Sequence, residues 1–311
     1  MAGPFLAALA VLLAAAQPQA LSAASPASVS AASAPLDYLP ALRGDYFRLE
    51  SKAVGRAFHI YVRYPEDYGK DPSRLYPVVY LLDGDSAFPI LAPEHLFLSY
   101  DEHLPEAIVV GIAYGSFDPA VNRRDVDFHW PDAAIPPGKA GAPAFERFLE
   151  TELIPAVERR YRADPRRRIL VGQSFGGAFV LYSAFTAPDL FWGRIASNPG
   201  CAPECAFLYG RPARAARSDL GLVVTSGTRD HPGIRAEMLK WFAAWQGRRD
   251  APWTLKAITI EGGTHAADLP NAYRAGMLWL FRDSLAPNSP PFQGGARGGS
   301  AKRRRDAEVE R

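Results

Sequence analysis

Short apolar runs alternate with amphipathic stretches through the middle of this chain, and that alternation restricts its fold more than any other feature. "YPVVYLLDG" from Tyr76, "AIVVGIA" from Ala107, "RRILVG" from Arg167, "RIASNP" from Arg194, "LGLVVTSG" from Leu220 and "WTLKAITIEGG" from Trp253 read as buried strands of a parallel sheet. Between and after them, "APAFERFLETELIPAVERRY", "IRAEMLKWFAAWQ" and "LPNAYRAGMLWLFRDSL" carry apolar residues at helical spacing. Strands that alternate with helices predict an α/β fold, a mostly parallel central sheet with helices on both faces. Upstream, "DYFRLES" and "RAFHIYVRYPEDY" alternate apolar and polar residues, as an N-terminal antiparallel hairpin does. With 311 residues, 48% hydrophobic and 22% charged, the chain is long enough for one such domain with flanking segments.

One serine stands where such a sheet places its chemistry, beyond the carboxyl ends of the strands. Gly172-Gln173-Ser174-Phe175-Gly176 is a G-x-S-x-G sequence between the strand "RRILVG" and the helix start "AFVLYSAF". That context is a nucleophile elbow, a sharp strained turn that lifts a serine above the sheet. Side chains at Gly172 and Gly176 are expected to clash with strand and helix. The competing reading, a glycine-rich phosphate turn, lacks its own motifs, since no G-x-G-x-x-G or G-K-[ST] is present.

A serine hydroxyl needs a base to act as a nucleophile. In this fold the base and its carboxylate follow the serine in the order acid, then histidine. Only His231 and His265 follow Ser174, and His265, in "IEGGTHAADLP", sits between a predicted strand and a helix. Asp230 in "SGTRDHPG" is the carboxylate soon after the end of the preceding strand, with Asp268 and Glu261 as reserves. A helix-capping role ahead of Pro232 is the alternative for Asp230. The oxyanion donors are expected to be the backbone N–H groups of Phe175 and Asp85, with the Asp85 side chain turned away.

The ends of the chain read differently. Residues 1–24 contain an apolar run, Phe5 to Ala16, too short to span a bilayer but suited to an export signal. No Lys or Arg precedes Arg43, and an Ala-rich extension is the plainer alternative. Residues 25–42 are an Ala/Ser/Pro-rich leader, 43–285 the folded domain, and 286–311 a tail rich in Pro, Gly and charge. The expectation is a periplasmic or secreted protein with no stable membrane span. The net charge of +2 gives no reason to expect nucleic acid as a partner. Cys201 and Cys205, the two cysteines, are candidates for a disulfide in an oxidising compartment or for two free thiols. His95, Asp101, Glu102 and His103 match no metal-ligand spacing and are read as the solvated part of a helix.

"YPVVYLLDGD", "FERFLETELIPAVERRYRADPRRRILVGQSFGGAFVLYSAF", "PDLFWGRIASNPG" and "GGTHAADLPNAYRAGMLWLF" resemble the putative-esterase (esterase D-like) family of α/β-hydrolases, over roughly Tyr46 to Asp283. Within it they are most similar to the siderophore esterases of the enterobactin-hydrolase type. The chain departs from that branch at Gln173, where His is usual, and at Asn198-Pro199-Gly200, where Ser-Pro is usual. The resemblance implies an α/β-hydrolase fold and hydrolysis of a small-molecule carboxylic ester through an acyl-enzyme on Ser174, with no metal or organic cofactor. A siderophore ester is the first substrate expectation. Feruloyl or acetyl ester cleavage, acyl transfer of the mycolyltransferase kind, and a catalytically inactive binding module are the alternatives. The segment "NRRDVDFHWPD" is expected over the pocket mouth. There Arg123 and Arg124 either hold an anionic substrate or are paired within a salt-bridged loop, Arg124 with Asp125 or Asp127. Tyr114, Phe128 and Trp130 are candidates to stack on an aromatic acyl group.

Overall fold

The structure is a computed structural model that describes residues 42–285. The export signal, nearly all of the leader and the C-terminal tail expected from the sequence lie outside the described residues. Eight strands form one sheet in the order β1-β2-β4-β3-β5-β6-β7-β8. They are β1 Gly44–Ser51, β2 Arg56–Arg63, β3 Tyr76–Leu81, β4 Ile108–Ala113, β5 Ala163–Gln173, β6 Gly193–Ser197, β7 Gly221–Gly227 and β8 Thr254–Ile260. The first two make the antiparallel hairpin, Gly44 opposite Arg63 and Ser51 opposite Arg56. β2 also runs antiparallel to β4, and every later pairing is parallel. The architecture is that of an α/β-hydrolase.

Burial explains the strand sequences. All residues of β4, β6 and β7 are buried, and these strands are mostly apolar, with Arg194, Ser197, Thr225 and Ser226 as buried polar exceptions. β8 differs from expectation. It ends the sheet with one strand neighbour and mixes exposed with half-buried residues, Thr254, Lys256 and Thr259 being exposed.

Helices cover both faces. α1 Gly84–Asp101 and α7 Leu269–Leu280 pack on one side, where Phe88, Leu91, Tyr273 and Met277 meet Val79, Val109, Ile195 and Val223. On the other side lie α2 Arg124–Asp127, α3 Ala142–Phe148, α4 Ile154–Arg160, α5 Phe175–Thr186 and α6 Pro232–Trp245. α5 is buried from Gly176 to Phe185 and forms the centre of this layer. The stretch read as one helix from Ala142 is broken by a π-helical segment, Leu149–Leu153, in which Ile154 N–H reaches back to Leu149 O. Pro155 follows directly; it has no N–H to continue the ordinary ladder, and the wider turn absorbs that loss.

α1 carries Pro89 and Pro93 in its interior, which masks its helical pattern in the sequence. His95 in α1 is a correction. It is fully buried, not solvated, with Nδ1 2.8 Å from Tyr273 Oη and Nε2 3.2 Å from Pro105 O. Burial, with the charge of Arg63 added, pushes its pKa down to about 4.

Candidate active site

The rim at the C-terminal ends of β3, β5, β6, β7 and β8 assembles the site. Ser174 follows β5 immediately and caps α5 with φ 59° and ψ −121°, a conformation that costs a non-glycine residue free energy. The turn is as tight as the sequence suggests. A Cβ on Gly172 would run into Gly176 O, so position 172 admits only glycine. At Gly176 the crowding group is different from the one expected: Asp83 Oδ2, from the loop after β3, stands 3.1 Å from where a Cβ would be.

His265 Nε2 lies 2.9 Å from Ser174 Oγ, and His265 Nδ1 lies 2.7 Å from Asp230 Oδ1. The side chain of Asp230 is 1% exposed and that of His265 34%. The carboxylate is thus shielded from water while the imidazole faces the cleft. Asp230 Oδ1 also accepts His231 N–H at 2.5 Å, which fixes the carboxylate before α6 starts at Pro232. Of the reserve carboxylates, Glu261 accepts from Thr228 Oγ1, and Asp268 is buried beside Asn271. Burial pushes the Asp268 pKa up and Asp230's charge adds to it, against hydrogen bonds from Asn271 and Asn198.

Two amides were missed in the sequence as supports of His265. Gln173 Nε2 donates to His265 O at 2.7 Å, and Asn198 Nδ2 donates to the same oxygen at 3.0 Å and to Thr264 O at 3.0 Å. Asn198 Oδ1 in turn accepts Gly227 N–H at 2.8 Å, at the end of β7. Asn198 is fully buried with φ 42°, a region asparagine tolerates better than most residues. The signal was present: these are the two positions at which the chain departs from the branch it resembles. The departures meet at one carbonyl.

The two backbone amides expected as oxyanion donors stand at helix starts. The first helical bond of α5 is Ala178 N–H to Ser174 O, 2.9 Å, and in α1 Ser86 and Ala87 N–H both reach Asp83 O. The N–H groups of Phe175 and Asp85 therefore precede the helical ladders and have no intrahelical acceptor. The helix dipole adds partial positive charge at each of these ends. The Asp85 side chain turns away, accepting Tyr114 N–H at 2.7 Å and Gly115 N–H at 2.8 Å. A cleft of about 730 Å³ opens here, lined by Asp83, Asp85, Phe117, Arg124, Ser174 and His265 among others.

Several expected substrate contacts are corrected. Arg124 pairs with neither Asp125 nor Asp127. It grips Asp83 through Nε at 2.7 Å and a terminal nitrogen at 3.0 Å. Burial works against its charge, but the Asp83 pairing outweighs that and raises its pKa. Arg123 stands 3.7 Å from Asp125, which Lys139 also holds, and Asp127 is held by Arg56. Trp130 is 1% exposed and stacks on Tyr182, ring centroids 5.5 Å apart, so its face is already covered. Tyr114 is buried and donates to Asp127 at 2.9 Å, and Phe128 packs against Phe145 and Phe179. These rings build the wall behind the site. They were open to misreading because a buried and a ligand-stacking aromatic look alike in sequence.

Cys201 and Cys205 are joined as a disulfide, Cα atoms 4.9 Å apart. The loop they close holds Glu204, buried against His129, and His129 packs edge-on to Phe175 with ring centroids 4.7 Å apart. The disulfide loop thus backs Phe175 through His129.

This chain is similar to several known proteins. The ferri-bacillibactin esterase BesA of Bacillus subtilis is 34% identical over 167 residues, 49% of this chain and 56% of that protein. The siderophore triacetylfusarinine C esterase of Aspergillus fumigatus is 31% identical over 171 residues, 52% of this chain and 57% of that protein. The matched region thus spans only a little over half of these two relatives. A solved IroE-like serine hydrolase from Shewanella oneidensis superposes with a TM-score of 0.69 at 22% identity, covering 79% of this chain and 82% of that one. At that identity the likeness is one of fold. Residues 51–272 match the family described as "Putative esterase", and the chain belongs to that family.

Proposed function

We propose that this chain is a serine carboxylic-ester hydrolase that acts on siderophore esters through an acyl-enzyme on Ser174. The observation that carries the proposal is the unbroken hydrogen-bond chain from Ser174 Oγ through His265 to a buried Asp230. Attack of Oγ on the ester carbonyl passes its proton to His265 Nε2. Asp230 holds the ring through Nδ1–H and stabilises the imidazolium. The Phe175 and Asp85 amides take the developing oxyanion. The imidazolium then protonates the leaving alcohol, and water drawn in by the same nitrogen releases the acid and restores Ser174. The substrate class rests on what the relatives' names say they act on, esters of bacillibactin and triacetylfusarinine C. The same proposal places the protein outside the cytoplasm. The apolar run from Phe5 to Ala16 and the Cys201–Cys205 pairing support this, since disulfides persist in oxidising compartments.

The test is turnover of p-nitrophenyl butyrate and of a ferric trilactone siderophore by the full chain, beside Ser174→Ala. Turnover of both, abolished by the substitution, is the expected result. Short-ester turnover without siderophore cleavage would remove the substrate class alone. Activity retained in Ser174→Ala would remove the proposed nucleophile.

A further inference from the structure

A second cavity, of about 390 Å³, adjoins the catalytic cleft and shares Asp85 and Phe117 with it. Its wall is largely apolar, with Tyr61, Phe88, Pro89, Ala92 and Pro93, and besides Arg63 its polar side chains are Ser116 and Asp85, the latter held by the Tyr114 and Gly115 amides. Pro89 and Pro93 lie one helical turn apart on α1 and stiffen the side they form. Phe117, 73% exposed, stands between the two spaces.

One charged side chain of β2 lines this cavity, and among the described residues none forms a hydrogen bond or salt bridge with it. Arg63 is 2% exposed, its Nε has no hydrogen-bond partner, and among the described residues no carboxylate forms a salt bridge with it. Glu106 and Glu66 act on it only from a distance, and burial lowers its pKa in spite of them. A buried guanidinium without a counter-ion is a costly thing for a fold to keep. The other arginines near the cleft, Arg123 and Arg124, are both paired with aspartates.

The depth of the cavity follows from strand and helix geometry. Arg63 pairs with Val109 while His59 pairs with Ala113 at the catalytic rim, four residues away and so about 14 Å below it. Along α1, the nine steps from Gly84 to Pro93 also make about 14 Å.

We infer that this cavity is a subsite for the distal part of the ester substrate, a slender apolar or aromatic segment that ends in a carboxylate or similar anion on Arg63. The inference rests on the proposed esterase reading for the word substrate, but the binding of an amphipathic anion does not depend on it. The anion supplies the missing counter-charge to a planar fork of donors, and the apolar body fills the channel back towards Phe117.

Two measurements separate the inference from the reading beneath it. Calorimetry on the full chain carrying Ser174→Ala, titrated with 6-phenylhexanoate and with its uncharged amide, reads the cavity without catalysis. The carboxylate is expected to bind at least tenfold more tightly than the amide, and Arg63→Met to erase that preference. Arg63→Lys, which keeps the charge but loses the fork, is expected to fall between. The unliganded Arg63→Met protein should melt no lower than the parent, because an unpaired buried charge has been removed. Equal affinity for the two ligands, or a lower Tm that marks Arg63 as a structural ion-pair partner, would overturn the inference. The second measurement compares kcat/KM for the mono-p-nitrophenyl ester of decanedioic acid with that for p-nitrophenyl butyrate. The ratio is expected to fall at least tenfold in Arg63→Met, and an unchanged ratio would mean that the bound anion is not part of the substrate. If the parent protein turns over neither ester yet binds 6-phenylhexanoate, the esterase reading fails and the anion site stands.

Discussion

The catalytic cleft and the cavity beside it are neighbours of opposite electrostatic character. In the cleft each charge has a counterpart: Asp83 with Arg124, Asp85 with two backbone amides, Asp230 with His265. In the cavity one cation, Arg63, has no salt bridge among the described residues, and Glu106 and Glu66 reach it only through space. The difference teaches that a charged residue near a site is informative only once its partners are known. Pairing makes Arg124 a brace for the loop after β3, whereas its absence makes Arg63 a candidate for a ligand.

The comparison breaks most visibly on the cleft side. Ser174→Ala or His265→Ala should each lower kcat by about 10⁴- to 10⁶-fold, and Asp230→Asn by about 10³- to 10⁴-fold, read from ester turnover at pH 7.5. Circular dichroism should show the fold intact in all three. The smaller loss in Asp230→Asn is expected because Oγ keeps its base while the ring loses its orientation. Equal and minor losses in all three would mean that the cleft is not where the measured turnover occurs.

Next comes the acid side of the stability curve, which sharpens the comparison from the cavity side. His95 has a folded pKa of about 4. Its unfolded value is about 6.5, so the unfolded chain binds the extra proton first. The stability contributed by keeping His95 neutral is complete above pH 6.5 and is lost as pH falls through the window down to 4, by up to about 3 kcal/mol. Urea unfolding at pH 7 and pH 4.5 measures this loss. Arg63→Met should reduce it, since the Arg63 charge is one of the causes of the depressed value. An unchanged slope in that variant would show that the two buried groups do not sense each other.

Asn198→Ala should act at a middle scale. It removes the donor to Thr264 O and His265 O and leaves Gly227 N–H buried without an acceptor. A loss of about 1–3 kcal/mol of stability is expected from the unpaired groups, measured by thermal unfolding. A fall of roughly tenfold to a hundredfold in kcat should accompany it, because misplacing a catalytic group by about an ångström is enough for that. Gln173→Ala should give a smaller effect of the same sign. The smallest change is expected from Cys201→Ser with Cys205→Ser. A five-residue ring restrains little of the unfolded chain, so the effect should be limited to about twofold to fivefold in kcat through the backing of Phe175.

The parallel sheet and the order of its chemistry were legible because they rest on local rules. Buried strands are continuous apolar runs, and a serine between glycines at a strand–helix junction has few structural explanations. The two helices that sequence reading treated worst each contain interior proline: α1, with Pro89 and Pro93, and the helix interrupted before Pro155. Trp130 and Tyr114 failed for another reason. Their sequence neighbourhood placed them near the mouth, but only the packing of Tyr182 and Asp127 against them reveals that their surfaces are used up. Arg63 could not be found in the sequence at all, because its distinction is the lack of a partner, and that depends on every neighbour at once.

His265 O accepts hydrogen bonds from two amide side chains that arrive from the ends of two different strands. A carbonyl offers two lone pairs, so this acceptor is full. The portable unit of this active site is therefore larger than its reacting groups. A designer who grafts Ser174, His265 and Asp230 onto another sheet must also carry Gln173 and Asn198 or other donors that hold the same carbonyl. An inherited change at either amide will be tolerated best alongside a change at the other, since both answer to an oxygen that belongs to neither.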